Sequence, residues 1–276
     1  MLGETHLREL ADRLARVHGV VGVTLGGSRA RGEHTPDSDT DLGLYYRPPL
    51  DVAALAALAR EVAGPGAEVS EPGAWGPWVD GGAWLDVSGD AVDWLYRDLD
   101  RVATSVRDAT AGRFTFHHQV GHPLGVPDFA YAGEVALGVV LADPTGELNA
   151  LKRRAESYPA ALTDAVVERL WEAEFSLANA QKAIMRADVV YVAGCLFRAV
   201  QLCAHALHAS AGRWLVNEKG AVAAAGRLPV APPAFASRAQ GLLAELGGDP
   251  QRLDDRIRAA GQLVTDVRTA CRRTTD

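Results

Sequence analysis

The amino-acid sequence predicts an α/β head with a mixed β-sheet, followed by an all-α helical bundle. Up to about residue 97, short runs rich in β-branched residues, typical of strands, alternate with segments of helical periodicity. From about residue 129 strand signals stop, and apolar residues recur three or four positions apart. We therefore expect two domains, 1–112 and 113–276, each long enough to bury a core of its own.

The elements of the head follow from periodicity and turn residues. Ser88-Gly89-Asp90 separates two apolar runs and predicts a hairpin. Asp51 precedes an apolar helical pattern and is a candidate N-cap. The predicted helices are 1–19, 51–63 and 98–112, and the predicted strands are 20–25, 41–46, 83–87 and 91–97.

The second domain is predicted to be helical after a loop at 113–128 that contains three histidines. Their spacing matches no trusted zinc motif, so lining a pocket, shaping a hinge and an ordinary loop remain the open interpretations of His117, His118 and His122. The predicted helices are 129–141, 144–157, 160–187, 188–211, 233–246 and 250–273.

Composition excludes several classes of protein. With 48% hydrophobic residues, 23% charged residues and a net charge of −7, the chain is expected to be globular, and its acidity disfavours a nucleic-acid partner. Three cysteines are too few for a disulfide framework. The N-terminus lacks the features of a signal peptide, and we expect no apolar run that approaches the ~20 residues of a membrane span. We expect a cytoplasmic monomer or homodimer without membrane contact.

One stretch, residues 25–46, carries the pattern of a chemical site. A predicted strand ends at Gly26-Gly27-Ser28, where glycine allows close backbone approach and N–H groups can bind phosphate oxygens. Arg31 follows and can add a charged fork. Ten residues after the turn, Asp39 and Asp41 open the next strand and point to the same face. Two such carboxylates repel each other unless a hard cation such as Mg²⁺, which also binds substrate phosphates, lies between them.

These residues closely resemble the signature of the nucleotidyltransferase superfamily that includes DNA polymerase β and the antibiotic nucleotidyltransferases: Gly-Ser, a gap of about ten residues, then Asp-x-Asp. The resemblance covers roughly residues 20–100 and implies a third carboxylate on a later strand, for which Asp93 is the match. A capped turn followed by two solvated acids is the purely structural alternative. The resemblance also extends to the helical domain that follows such heads in enzymes acting on small molecules.

The mechanism that the resemblance implies is in-line attack of a substrate hydroxyl on the α-phosphorus of a nucleoside triphosphate, with release of pyrophosphate. Asp39 and Asp41 would bind one or two Mg²⁺ ions. Asp93 would complete the second metal site, act as general base, or both; Asp86 is its rival for the base role. Glu33 and Asp37 are interpreted as solvated loop acids.

Lysine is rare: of 28 basic residues only three are lysine. Lys182 and Lys219 lie in the helical domain, and both are predicted to reach a β- or γ-phosphate, with Tyr191 near Lys182 as a further nucleotide contact. Lys152, in Leu-Lys-Arg-Arg, is interpreted as part of a solvated basic face. Four tryptophans (Trp75, Trp78, Trp84 and Trp94) are interpreted as core or rim, although one or two can stack on a base or an acceptor.

The functional hypothesis is therefore a Mg-dependent nucleotidyltransferase that moves AMP from ATP to a hydroxyl of a small molecule. An aminoglycoside, lincosamide or nucleoside antibiotic is the acceptor that the resemblance suggests, and an acidic protein suits a cationic acceptor. The alternative is a protein adenylyltransferase, of which small antitoxin-like relatives lack a fused helical domain. Tailing of RNA shares the chemistry but favours a basic surface. A degenerate, non-catalytic member is disfavoured because all three carboxylates are present.

Overall fold

The computed structural model describes residues 3–35 and 37–272. The chain forms two compact units. The first comprises residues 1–108 and 115–157, and the second comprises residues 109–114 and 158–276. We call them the catalytic unit and the helical unit.

The catalytic unit is built on a five-stranded sheet with the strand order β3-β4-β2-β1-β7. Strands β2 and β4 are parallel, and the other neighbours are antiparallel, so the predicted mixed sheet is confirmed. The elements are α1 (Glu4–Leu14), β1 (Val20–Leu25), α2 (Gly27–Ala30), β2 (Thr40–Tyr46), α3 (Val52–Ala63), β3 (Gly82–Val87), β4 (Asp90–Asp98), α4 (Leu99–Thr110), β5 (Phe116–Gln119), β6 (His122–Pro127), α5 (Ala130–Leu137), β7 (Val139–Ala142) and α6 (Glu147–Ala155).

Alternation along the central strands separates a core face from a polar face. Leu42 and Leu44 of β2 and Trp94 of β4 are fully buried and pack with apolar residues of α1 and α3. The residues between them, including Asp41 and Asp93, are only partly buried. Because side chains alternate across a strand, the aspartates project from the opposite face, which we call the carboxylate face.

The catalytic unit extends further along the chain than the predicted domain 1–112. Strand β7 pairs with β1 and completes the sheet, so residues 115–157 belong to this unit. The predicted helix 129–141 is wrong over its last four residues, because the helix ends at Leu137 and Gly138 adopts an extended conformation before β7. The predicted loop 113–128 contains the hairpin of β5 and β6.

The helical unit confirms the predicted all-α character of the C-terminal region. The predicted helix 160–187 is interrupted, with a break after Glu168 and a 3₁₀ turn at Ile184–Arg186. The helices are α7 (Ala160–Glu168), α8 (Leu170–Gln181), α9 (Val189–Ser210), α10 (Ala221–Ala225), α11 (Phe235–Ala244) and α12 (Pro250–Arg272). Helix α9 packs against α8, α10 and α12.

Helix α9 corrects one sequence-based expectation. Within the described residues it is the one helix whose length and apolar composition would allow it to cross a membrane, whereas the sequence-based expectation was that no such run exists. More than half of its apolar window is buried inside the protein, and Leu196, Cys203 and Leu207 are fully buried. Its composition is therefore that of a core helix as much as that of a span, and the cytoplasmic location stays a prediction.

Candidate active site

The candidate site lies at one edge of the carboxylate face, where β1 ends and β2 begins. Asp41 in β2 and Asp93 in β4 are directly opposite each other in the parallel pair. On the other side of Asp41, the backbone N–H of Gly26 donates a hydrogen bond to the Asp41 carbonyl at 2.8 Å. The sheet therefore places Asp93, Asp41 and the glycine turn in one row.

Gly27 fits this row because it has no side chain. Its φ is +60°, a left-handed conformation that favours glycine. A Cβ atom on Gly27 would lie 1.7 Å from Oδ2 of Asp41, well inside van der Waals contact. The turn and the Asp41 carboxylate are thus packed directly against each other, and the short α2 that begins at Gly27 follows the turn at once. The first N–H groups of a helical turn have no partner within that turn, which makes them suitable donors for phosphate oxygens.

Burial and neighbouring carboxylates raise the pKa of Asp41 and of Asp93. Burial, together with the charges of Asp41 and Asp39, raises the pKa of Asp93 from 3.8 to about 6. The pKa of Asp41 is raised by burial first and then by Asp39 and Glu134, while Arg97 and Arg31 oppose the rise. Like charges held together in this way are stabilised by a proton or by a cation. The electrostatics therefore match the sequence-based argument for a cation at Asp39, Asp41 and Asp93.

The donor set suits Mg²⁺ as an ion that arrives with its substrate. Within residues 3–35 and 37–272, no group of three or more His, Cys, Asp or Glu side chains is arranged to hold a metal ion by itself. Mg²⁺ commonly binds through one or two carboxylates and completes its shell with water and substrate phosphates. Asp39, Asp41 and Asp93 offer hard oxygen ligands next to a turn suited to phosphate, so the residues present fit that mode of binding.

Two residues that the sequence analysis missed support the carboxylate face. Arg97 lies four positions after Asp93 on β4 and therefore on the same face. Its buried guanidinium donates to both carboxylate oxygens of Glu134 on α5, at 2.5 and 2.8 Å. Glu134 is about 30% exposed, and its charge acts on Asp41. The alternation of β4 was the available signal for Arg97, but the position of α5 above it had no local signature.

Arg29 is a second missed residue, and it shapes the loop that carries Asp39. Its Nε donates to the carbonyl of Asp39 at 3.0 Å, and its Nη2 donates to the carbonyl of Ser38 at 2.5 Å. Arg31, the residue predicted to contact phosphate, forms an ion pair with Glu33 at 2.9 Å, and Glu33 is a largely exposed acid as predicted. Arg31 is still close enough for its charge to lower the pKa of Asp41, which leaves its predicted phosphate contact untested.

Lys152 is not part of a solvated basic face, and that interpretation was wrong. Its side chain is partly buried, and Nζ donates to the carbonyls of Ala136 and Gly138 at 2.5 and 2.9 Å. These carbonyls end α5, where a cation is favourable. Since β7 starts at the next residue and pairs with the end of β1, Lys152 helps to fix the backbone next to the glycine turn.

Asp86, the rival of Asp93, has a structural partner in its own turn. Its Oδ1 accepts a hydrogen bond from the N–H of Gly89 at 2.6 Å, inside the β3–β4 turn. It lies beside Ala91, two positions further along the strands than Asp93. Asp93, directly opposite Asp41, has the better position for a general base.

The tryptophans divide into core and surface. Trp94 is fully buried, as the core interpretation predicted. Trp75 and Trp84 stack with ring centroids 4.1 Å apart, and Trp84 is 69% exposed. Trp78 stacks on His117 at 4.1 Å.

The three histidines lie on the small β5–β6 hairpin. Nε2 of His117 is 3.3 Å from Oδ2 of Asp128, a carboxylate partner that sequence proximity did not suggest. His118 and His122 lie on the same hairpin. The contacts of His117 with Trp78 and Asp128 indicate a structural role in holding the hairpin.

The predicted nucleotide contacts of the C-terminal region belong to the helical unit. Lys182 is exposed at the end of α8, with Nζ 3.0 Å from Oδ1 of Asn179. Lys219 is exposed in the segment before α10. Tyr191 is 48% exposed in the first turn of α9. All three are accessible within their own unit, and their contact with nucleotide stays a prediction.

Two family models match parts of the chain. Residues 7–69 match a nucleotidyltransferase domain, and residues 131–219 match a domain of unknown function, DUF4037. The first match contains Gly27, Ser28, Asp39 and Asp41, and it supports the superfamily that their spacing resembles. Asp93 lies outside it.

Among solved structures, the chain is similar to a nucleotidyltransferase-like protein from Exiguobacterium sibiricum 255-15. The two are 12% identical with a TM-score of 0.48, over 95% of this chain and 74% of that one. None of the curated proteins compared with the chain matches it.

Proposed function

We propose, from the nucleotidyltransferase domain matched at residues 7–69, that this chain transfers AMP from ATP to a hydroxyl of a small molecule. The observation that carries the proposal is the row formed by Asp93, Asp41 and the glycine turn, in which Gly27 has no room for a side chain. A phosphate-binding turn and repelling carboxylates on one sheet edge are the parts that nucleotidyl transfer requires.

The residues of the catalytic unit have separate tasks in this reaction. Backbone N–H groups at Gly27 and the Ser28 hydroxyl bind the triphosphate, and Arg31 adds a positive charge beside it. Asp39 and Asp41, with Asp93, would hold Mg²⁺, which would neutralise charge that develops on the phosphates. Arg29 fixes the backbone at Asp39, and the Arg97–Glu134 ion pair holds α5 against the carboxylate face near Asp41.

Asp93 is assigned the proton transfer. It lies directly opposite Asp41, on the side of the row away from the glycine turn, where a carboxylate can accept the proton of an incoming hydroxyl. The acceptor oxygen forms a bond to the α-phosphorus while the bond from that phosphorus to pyrophosphate breaks. The hydroxyl proton passes to Asp93, and pyrophosphate leaves from the side of the glycine turn. Lys182, Lys219 and Tyr191 are proposed as further contacts of the nucleotide.

Pyrophosphate release tests the proposal. Each of ATP, GTP, CTP and UTP is incubated with Mg²⁺ and a panel of aminoglycoside, lincosamide and nucleoside antibiotics. We expect acceptor-dependent release with the wild type and none with Asp39→Asn, whose fold is checked by circular dichroism. Release that is equal in the wild type and Asp39→Asn would contradict the proposal. A labelled protein band after incubation of the enzyme with α-labelled ATP and lysate, without small-molecule turnover, would replace it with protein adenylylation.

A further inference from the structure

A stacked pair of tryptophans lies on the carboxylate face beside the candidate site. The rings of Trp75 and Trp84 are almost parallel, with an interplanar angle of 8° and centroids 4.1 Å apart. Trp84 is nevertheless 69% exposed. A large apolar ring held rigidly in water on a sheet surface is a feature of binding surfaces. We call Trp75 and Trp84 the tryptophan pair.

The register of the sheet places the tryptophan pair next to Asp93. Trp84 of β3 is directly opposite Asp93 of β4, and residues paired in this way project from the same face. The row across the sheet therefore runs from Trp84 through Asp93 and Asp41 to the turn at Gly27.

The order of this row assigns the two ends different substrates. If the proposed function is correct, the phosphates lie at the Gly27 end, and pyrophosphate leaves in that direction. In-line displacement requires the attacking hydroxyl to approach from the opposite side. The opposite side is occupied by Asp93, the proposed base, and then by Trp84.

We propose that the tryptophan pair is the acceptor subsite and binds a saturated ring that carries a protonated amine in addition to the reacting hydroxyl. This assignment rests on the proposed function. The exposed indole face offers both an apolar surface for a ring and a negative π-cloud for a cation. Asp86, two positions from Trp84 on the same face of β3, adds a negative charge. Neutral and anionic acceptors would gain nothing from the π-cloud or from the charge of Asp86.

Binding can be tested without knowledge of the natural acceptor. The probes are 2-deoxystreptamine, a hydroxylated ring with two amines; myo-inositol, a neutral hydroxylated ring; and 1,3-diaminopropane, which has the charges without a ring. Each is titrated into the full chain while the indole ¹⁵N–¹H signals are recorded. The Trp84 signal is assigned from its absence in Trp84→Phe.

We expect 2-deoxystreptamine to bind more tightly than either control probe and to shift the Trp84 signal. Trp84→Ala should weaken this binding about tenfold, since an exposed cation–π contact and the lost ring surface act together. Trp84→Phe, which retains an aromatic face, should stay close to the wild type. Trp171→Ala is the matched control, because it removes a 53% exposed indole from the helical unit. Equal binding to the wild type and Trp84→Ala, or equal binding of myo-inositol, would overturn the proposal.

A second titration separates this proposal from the function on which it rests. The probe is α,β-methylene-ATP with Mg²⁺, and we expect equal affinity for the wild type and Trp84→Ala. A selective loss of affinity in Trp84→Ala would mean that the pair stacks on the nucleobase, and the acceptor assignment would be wrong. Failure of the wild type to bind the α,β-methylene analogue of ATP, GTP, CTP or UTP would count against the proposed function, whereas the 2-deoxystreptamine result would still decide whether the pair binds such rings.

Discussion

Replacing Asp93 with asparagine should make the metal-free protein more stable while abolishing its activity. The carboxyl pKa rises from 3.8 to about 6 on folding, and a shift of one unit corresponds to about 1.4 kcal/mol. The full shift of about two units would cost the folded state about 3 kcal/mol for a completely buried group. Asp93 is only half-buried, and solvent screening reduces the expected gain in Asp93→Asn to about 1 kcal/mol.

The pH dependence of this gain has a definite sign. At pH values below the pKa of Asp93 in the unfolded chain, its raised pKa in the folded state makes its full contribution to stability. That contribution is lost as pH rises through the folded-state pKa of about 6. Asparagine does not titrate, so the variant should match the wild type near pH 4 and exceed it at pH 8.

Thermal unfolding in EDTA at pH 4 and pH 8 measures the effect. A gain of about 1 kcal/mol corresponds to about 2–4 °C in Tm at this chain length. Asp86→Asn, at an exposed acid of the same hairpin, is the matched control and should show no such gain. A Tm of Asp93→Asn at pH 8 that is equal to or below that of the wild type would refute the electrostatic reasoning.

Three further predictions concern the turn, its loop and the helical unit. Gly27→Ala should abolish nucleotide binding because its Cβ would collide with the carboxylate of Asp41. Gly32→Ala is the control and should retain binding, since Gly32 has a similar φ of +68° and nothing within 4 Å of the added Cβ. Equal calorimetric affinities of the two variants for nucleotide would contradict this prediction. Arg29→Lys should lower kcat/KM for the nucleotide about tenfold or more, because lysine cannot replace both hydrogen bonds of the fork; kinetics unchanged from the wild type would count against it. Burial lowers the pKa of His205 to about 3, so acidification from pH 6.5 to 5 should lower the free energy of unfolding by about 2 kcal/mol. Urea titrations should show a weaker pH dependence of this free energy in His205→Gln. The same pH dependence in the variant and the wild type would contradict the assignment to His205.

Much of the fold followed from local patterns. Strand β1 was predicted at its observed bounds, and the N-cap of α3 is confirmed, because Asp51 accepts a hydrogen bond from the N–H of Ala54 at 2.9 Å. Such features depend on residues that are close in sequence. Strand β7 was missed because four apolar residues after a helix look like its continuation, and only pairing with β1, more than 100 residues earlier, makes them a strand.

The residues of the candidate site also fall into those that local patterns predict and those that depend on contacts distant in sequence. Gly27, Asp39 and Asp41 were predicted because turn chemistry and strand alternation act over a few residues. The position of Asp93 opposite Asp41 depended on a parallel pairing between separated strands, and there the family resemblance supplied what periodicity did not. Arg97 was missed because its role depends on a partner from α5, 37 residues later.

Lysine scarcity did not reveal the structural role of Lys152, and its predictions for Lys182 and Lys219 stay untested. The criterion favoured Lys182 and Lys219 and dismissed Lys152, although Lys152 is the lysine that the catalytic unit uses next to its glycine turn. In the sequence, a lysine that donates hydrogen bonds to the last carbonyls of a helix looks the same as a lysine on a solvated face.

Calorimetry with the α,β-methylene analogues of ATP, GTP, CTP and UTP tests the central claim most directly, because it separates nucleotide binding from the choice of acceptor. We predict that at least one analogue binds the wild type in Mg²⁺ and fails to bind in EDTA. The Asp39→Asn/Asp41→Asn double variant should fail to bind it in either condition. An affinity that is the same in Mg²⁺ and EDTA, or the same in the wild type and the double variant, would contradict the assignment of these carboxylates to a metal–nucleotide site.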